Sequence, residues 1–265
     1  MIIRKILYLF SYLNYRLRSS SKFKVHSPFV YELYTAVILD RTRKAVYNKI
    51  EKQRSALLRQ RSLLETTDFG AGACSEAYKT RFRQVKNITR HSSVSPKFGQ
   101  LFHRMVDFGS PKEILEIGTA MGISTMYIAS AAPESRVITM EGCAVIAEKA
   151  RENFNSLELN NIELDLGNFN NLLTKTLDKF DKLDFVLVDG NHRKGPSLKY
   201  FEMILPKLHP DSIVMIDDIH WSKGMKEAWE QIKEHKEVSI SIDLFRTGIL
   251  LFRKDIAKED FILRF

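Results

Sequence analysis

The chain has 265 residues, 44% of them hydrophobic and 28% charged, which excludes wholesale disorder. Seven Pro and twelve Gly exclude collagen-like and low-complexity chains, and the length suffices to bury a core without disulfides. The net charge of +9 is unevenly placed: residues 1–110 carry 21 Lys and Arg against 7 Asp and Glu, residues 111–265 carry 20 against 25. A basic front of this kind suits nucleic acid, an anionic membrane or an acidic partner, or is a solvated helical surface.

The opening segment has apolar residues at Ile2, Ile6, Leu9, Leu13 and Leu17, flanked by Arg4, Lys5, Arg16 and Arg18. This spacing predicts a basic amphipathic helix that packs on its own protein or a second subunit, with a membrane surface as the alternative. The apolar run Ile6–Phe10 is too short, and Ser11, Asn14 and Arg16 interrupt it too soon, for a signal peptide. No run reaches the length of a spanning helix. Two cysteines, Cys74 and Cys143, form no framework, so a reducing compartment, the cytoplasm, is expected.

His26-Ser27-Pro28 reads as a helix start, with Ser27 as N-cap and Pro28 at the first helical position. A second helix is predicted over about 44–64, a break at the glycines of Asp68–Ala73, and another Ser-Pro start at Ser95-Pro96. From Glu113 onward short β-like and helical runs alternate five times, and the segments VSISIDLF and TGILLFRK close the chain as two strands. The predicted fold is α/β: five parallel βα units with a C-terminal antiparallel hairpin, preceded by helices. The organisation expected is a basic helical region over 1–95 and a ligand-binding domain over 96–265.

Ligands on such sheets sit at the carboxyl ends of the strands. The first strand ends in Glu116-Ile117-Gly118-Thr119-Ala120-Met121-Gly122. The dinucleotide fingerprint requires G-x-G-x-x-G, whereas here the spacing is E-x-G-x-x-x-G. That spacing resembles motif I of class I S-adenosylmethionine-dependent methyltransferases. The second strand ends in Glu141-Gly142, 23 residues after Gly118, where an acid can accept hydrogen bonds from ribose hydroxyls. The resemblance implies a Rossmann-like sheet that binds S-adenosylmethionine through Glu116, Gly118, Thr119, Gly122, Glu141 and Gly142, with Asn168 near adenine.

The fourth strand ends at Asp189 and the fifth at Asp217-Asp218. Three carboxylates in one crevice repel one another, and Mg²⁺ would neutralise them through oxygen ligands; the alternative is that they cap turns and helices. The stretch from Glu113 to Arg253 resembles the metal-dependent O-methyltransferases of the catechol and caffeoyl-coenzyme A type. The Asp-Asp pair is similar to antibiotic-sugar methyltransferases, and HSPFVYEL and DGNHR to a bacterial methyltransferase-like group. The resemblance implies Asp189, Asp217 and Asp218 as metal ligands and a base three residues after Asp189. Catechol-type enzymes place lysine there; this chain has His192, which can take a hydroxyl proton at neutral pH, with His220 a second candidate. The expected activity is Mg²⁺-assisted O-methylation of a small hydroxylated acceptor. The alternatives are a nucleic-acid methyltransferase docking through the basic front, and a non-catalytic module that binds a partner or membrane.

Overall fold

The computed structural model describes residues 2–67, 80–254 and 256–265, with side chains from Tyr8 onward. The predicted glycine break and Cys74 lie outside the described residues.

The front of the chain forms helix α1 (Ile2–Arg18), a short α2 (Pro28–Glu32) that widens into a π-helical turn over Leu33–Ile38, and α3 (Ala45–Leu57). Strands β1 (Leu63–Thr67) and β2 (Thr80–Gln84) pair antiparallel, and α4 (Val85–Ser92) and α5 (Pro96–Gly109) follow. The front is therefore not wholly helical, and the helix expected over 44–64 ends at Leu57. Beyond it Gln60 and Ser62 carbonyls accept from Lys86 and Val85, which ties this segment to the start of α4 instead of a further helical turn. Both Ser-Pro starts fall where expected, but neither Ser27 nor Ser95 makes a side-chain cap; Pro28 and Pro96 carry the signal.

The alternating part comprises β3 (Glu113–Ile117), α6 (Ile123–Ala131), β4 (Arg136–Glu141), α7 (Ala144–Ser156), β5 (Ile162–Leu166) and α8 (Phe169–Leu177). It continues with β6 (Phe185–Val188), α9 (Lys194–Ile204), β7 (Ile213–Ile216), α10 (Lys223–Lys233), β8 (Ile240–Asp243) and β9 (Gly248–Leu251). The sheet order is β10-β8-β9-β7-β6-β3-β4-β5, where β10 (Glu259–Ile262) pairs parallel with β8 and was not anticipated. β3 to β7 are parallel to one another, and β9 runs antiparallel to both β7 and β8. Every residue of β6 and β7 is buried, as strands covered on both faces require. Val186 and Val214 pack with Trp229 and Phe201 on one face; Leu187 and Met215 pack with Phe102, Tyr127 and Ile50 on the other.

The order reverses between β3, which leads to β4, and β6, which leads to β7, and this opens a crevice above their carboxyl ends. The first helix crosses the far edge of the sheet. Tyr8, Tyr12 and Tyr15 place their rings 5.1, 5.0 and 5.2 Å from that of Phe245. Tyr15 Oη donates to the Leu263 carbonyl, while Ser20 N donates to the Ile262 carbonyl and Arg264 N to the Ser20 carbonyl. The leucine stripe of α1 does not pack on the protein: Leu9, Leu13 and Leu17 are exposed and the tyrosine face is turned inward.

Candidate active site

A cavity of about 520 Å³ lies at the switch point, with Gly118, Glu141, Asp189, His192, Asp218 and Arg246 among its lining residues. The front of the chain supplies a wall, including Tyr8, Thr66, Arg83 and Arg90.

The turn after β3 is built from beneath. Gly118 has φ +113°, and a Cβ there would stand 2.5 Å from the Asp189 carbonyl oxygen, so the glycine lets the first and fourth strand ends touch. Gly122 (φ +75°) opens α6 where a Cβ would strike the Phe154 ring. Ala120, in place of a fingerprint glycine, nevertheless holds φ +46°. Thr119 is buried with its hydroxyl 2.6 Å from that of Thr139. Thr119 and Gly122 thus shape the turn, and Gly118 and Ala120 face the cavity.

Glu116 lies under this turn with no exposure. Its Oε2 accepts from Thr125 and Thr139, while Oε1 has no partner. Burial pushes its carboxyl up to about 7, against the hydrogen bonds from Ser124, Thr125 and Thr139. Glu141 accepts from the backbone amides of Ala120 at 2.9 Å and Cys143 at 3.0 Å, which fixes its carboxylate at the cavity wall beside Gly142. Burial raises its pKa, with the amides of Cys143, Ala120 and Gly142 opposing. Asn168 does not face the cavity; its Oδ1 caps α8 by accepting from Asn170 N, and Phe169 lines the wall instead.

These residues fit S-adenosylmethionine. Gly118 and Ala120 bring bare backbone to the cavity, and the fixed Glu141 carboxylate with spare lone pairs suits a ribose diol.

Asp189, Asp217 and Asp218 do come together, as β6 and β7 are neighbours, but not as an open carboxylate cage. Asp217 is fully buried; Arg246 Nη2 and Nε donate to its Oδ2 at 2.8 and 3.0 Å, and Thr247 Oγ1 to its Oδ1 at 2.5 Å. Arg246 Nε also stands 3.6 Å from Asp218 Oδ1. The cation facing the three carboxylates is a guanidinium, and among the described residues no three His, Cys, Asp or Glu side chains are arranged to hold a metal ion. Asp217 is spent on Arg246 and Thr247, so the expected three-aspartate Mg²⁺ site is not presented here as three open carboxylates.

His192 Nε2 stands 3.6 Å from Asp189 Oδ1 and 4.0 Å from Asp218 Oδ2. Burial, then the negative fields of Asp217 and Asp218, raise Asp189 well above the usual carboxylate range, with Arg246 opposing. Burial works against the charge on Arg246, yet Asp217 and Asp218 outweigh it and raise its pKa. Asn191 (φ +62°) and Asp218 (φ +56°) are left-handed, a conformation costing roughly 1–2 kcal/mol each for residues with a Cβ. Buried Asn191 Oδ1 is unpartnered at the cavity. His220 is not part of this group: its Nε2 bonds Asp243 Oδ2 at 2.7 Å, its ring stacks on Phe245, and Ser11 of α1 approaches Nδ1 at 3.5 Å.

Sheet order, glycine turn and cleft define the class I methyltransferase fold. Solved structures agree: an O-methyltransferase from Bacillus cereus in complex with SAH superposes with TM-score 0.57 at 19% identity, covering 84% of this chain and 97% of that one. The SAH-bound Podospora anserina methyltransferase PaMTH1 gives 0.60 at 14% identity, covering 87% and 98%. The family model described as "Methyltransferase domain" matches residues 115–219. The chain is 30% identical over 159 residues to the Mycobacterium tuberculosis protein named "Probable O-methyltransferase Rv1703c", covering 57% of this chain and 67% of that one. It is 28% identical over 130 residues to a protein of Niastella koreensis named "Catechol O-methyltransferase", covering 48% and 58%. The chain belongs to the S-adenosylmethionine-dependent O-methyltransferase family. It spans about three fifths to two thirds of the length of these curated relatives.

Proposed function

We propose that the chain methylates a hydroxyl oxygen of a small acceptor, with S-adenosylmethionine bound at Gly118, Glu141 and Gly142 and the acceptor between His192, Asp189 and Asn191. The observation that carries this reading is the contact between the Gly118 turn and the Asp189 loop, which sets a cofactor turn and a proton-handling pair against one cavity. When bound, S-adenosylmethionine supplies an electrophilic methyl group on a sulfonium sulfur. Glu141 orients the ribose, and Glu116 braces the turn from beneath through Thr125 and Thr139.

His192 Nε2 accepts the acceptor's hydroxyl proton as the new oxygen–carbon bond forms and the carbon–sulfur bond breaks, its electron pair staying on sulfur. Asp189, 3.6 Å from Nε2, stabilises the imidazolium that results. Holding the oxygen, carbon and sulfur in line is the larger contribution, since positioning alone can supply several kcal/mol. Arg246 pairs with Asp217 and stands beside Asp218, which offsets the charge of the carboxylate cluster. The half-buried Arg83 and exposed Arg90 in the wall favour an acceptor that carries negative charge.

The test has two stages. Calorimetry should show S-adenosylhomocysteine binding, and NADH binding in its place would overturn the reading. Transfer of labelled methyl from S-adenosylmethionine to a panel of phenols, catechols and hydroxy acids, with and without EDTA, then identifies the acceptor class.

A further inference from the structure

The basic front of the chain is not consumed by the cleft. Helix α1 has two opposed faces: Tyr15 is buried and Tyr8 and Tyr12, 39 and 37% exposed, lean with it on Phe245, while Leu9, Phe10, Leu13 and Leu17 are 56, 65, 48 and 87% exposed. At 3.6 residues per turn those four positions fall within an arc of about 100°. Phe23, just beyond the helix, is 84% exposed. No acidic residue precedes Glu32, whereas Arg16, Arg18, Lys22 and Lys24 surround the stripe.

Beside this stripe lies a cavity of about 860 Å³ that shares no lining residue with the active-site cleft. Arg16, Lys22, Arg41, Arg43, Lys97 and Arg264 line it, and none pairs with a carboxylate among the described residues. The two acids in its wall are engaged elsewhere: Asp40 accepts from the amide and hydroxyl of Thr42, and Glu51 from Arg54 and Tyr127. Burial, then repulsion from Arg41, Arg16 and Arg104, lowers the pKa of Lys97, whose ammonium lies 3.9 Å from the centre of the Phe265 ring. Arg16 and Phe23 belong to both features, so the apolar stripe and the cationic cavity are one continuous surface.

We propose that this surface docks on an anionic membrane, with Leu9, Phe10, Leu13, Leu17 and Phe23 entering the interface and the cavity receiving a lipid phosphate. Charge complementarity selects this occupant. A second copy would bring the same cations against themselves, and a nucleic acid would leave the aliphatic stripe in water. Among the described residues no helix is long and apolar enough to cross a membrane, so α1 lies in the plane of the surface.

The experiment is co-sedimentation of the full chain with vesicles of phosphatidylcholine alone and of phosphatidylcholine mixed with phosphatidylglycerol. Binding is expected only to the anionic vesicles, falling steeply with salt. Leu17→Glu and Leu13→Glu should each weaken it at least tenfold, and Arg41→Ala with Lys97→Ala by about fivefold per cation removed, since each basic residue near such a surface contributes about 1 kcal/mol. S-adenosylhomocysteine affinity should be unchanged in all of them, which shows that the fold is intact. No sedimentation with anionic vesicles, equal binding to neutral ones, or insensitivity to Leu17→Glu overturns the proposal. So does a dimer in sedimentation velocity that Leu17→Glu dissociates, or RNA binding that Leu17→Glu leaves untouched.

Discussion

Arg246 and Asp217, 29 residues apart, form a two-pronged ion pair at 2.8 and 3.0 Å in which the carboxylate has no exposure. Removing one partner strands a buried charge, so Arg246→Ala should cost about 3–5 kcal/mol in urea unfolding. Arg246→Lys should recover part of this, as it restores the charge but not the fork. Mn²⁺ titrated into the S-adenosylhomocysteine complex should give no binding heat, and EDTA should leave methyl transfer unchanged. An EDTA-sensitive rate restored by Mg²⁺ would restore the carboxylate cage as well.

Gly118→Ala tests the junction of the two strand ends. A methyl group 2.5 Å from the Asp189 carbonyl must move backbone, and φ +113° is costly for alanine. Cofactor affinity and turnover should fall together by tenfold or more in calorimetry and initial-rate assays, because one displacement disturbs both halves of the site.

Glu141→Gln keeps the shape of the side chain but removes the charge that accepts from Ala120 and Cys143. A hydrogen bond to a charged group contributes about 1.5–3 kcal/mol, so S-adenosylhomocysteine should bind roughly ten- to a hundredfold more weakly. His192→Ala should do the reverse: affinity for S-adenosylhomocysteine held, and kcat lower by about a hundredfold or more.

Glu116 makes stability depend on pH. Its folded pKa of about 7 lies above the ordinary 4.5, so the folded state holds this proton more tightly than the unfolded chain. Its contribution is complete below pH ~4.5 and is lost as pH rises through ~7. Glu116→Gln, which cannot ionise, should be the more stable protein at pH 8, by about 3 kcal/mol at most, and should lose that advantage near pH 4.5. Urea titrations at the two pH values measure the difference.

The α/β half was legible because its signals are local. Strands of four to six residues ending in Glu116, Glu141, Asp189 and Asp217 alternate with helices, and the βα rule places those ends on one edge. Arg246 was missed because its significance is not local: it sits in the break between β8 and β9. The antiparallel pairing of Gly248 with Ile216 carries it back to Asp217. The stripe of α1 was read from spacing alone, which finds an apolar face but not which face turns inward; the tyrosines at 8, 12 and 15 outcompete the leucines because Phe245 meets them. Asn168 was drawn to the cavity by resemblance, whereas its place before Phe169 makes it a cap.

The bond from Tyr15 to the Leu263 carbonyl, with those linking Ser20 to Ile262 and Arg264, spans a sequence separation of nearly the whole chain. On the ribosome α1 emerges more than two hundred residues before the backbone it docks against. Until Leu263 and Arg264 are in place the tyrosine face of α1 has only part of its partner surface, and its opposite face is apolar as well. Contacts of such long range carry a large closure entropy and form late in folding. Until that backbone is made, the nascent chain therefore carries a helix that is apolar on both sides, a segment suited to early capture by a chaperone or a lipid surface.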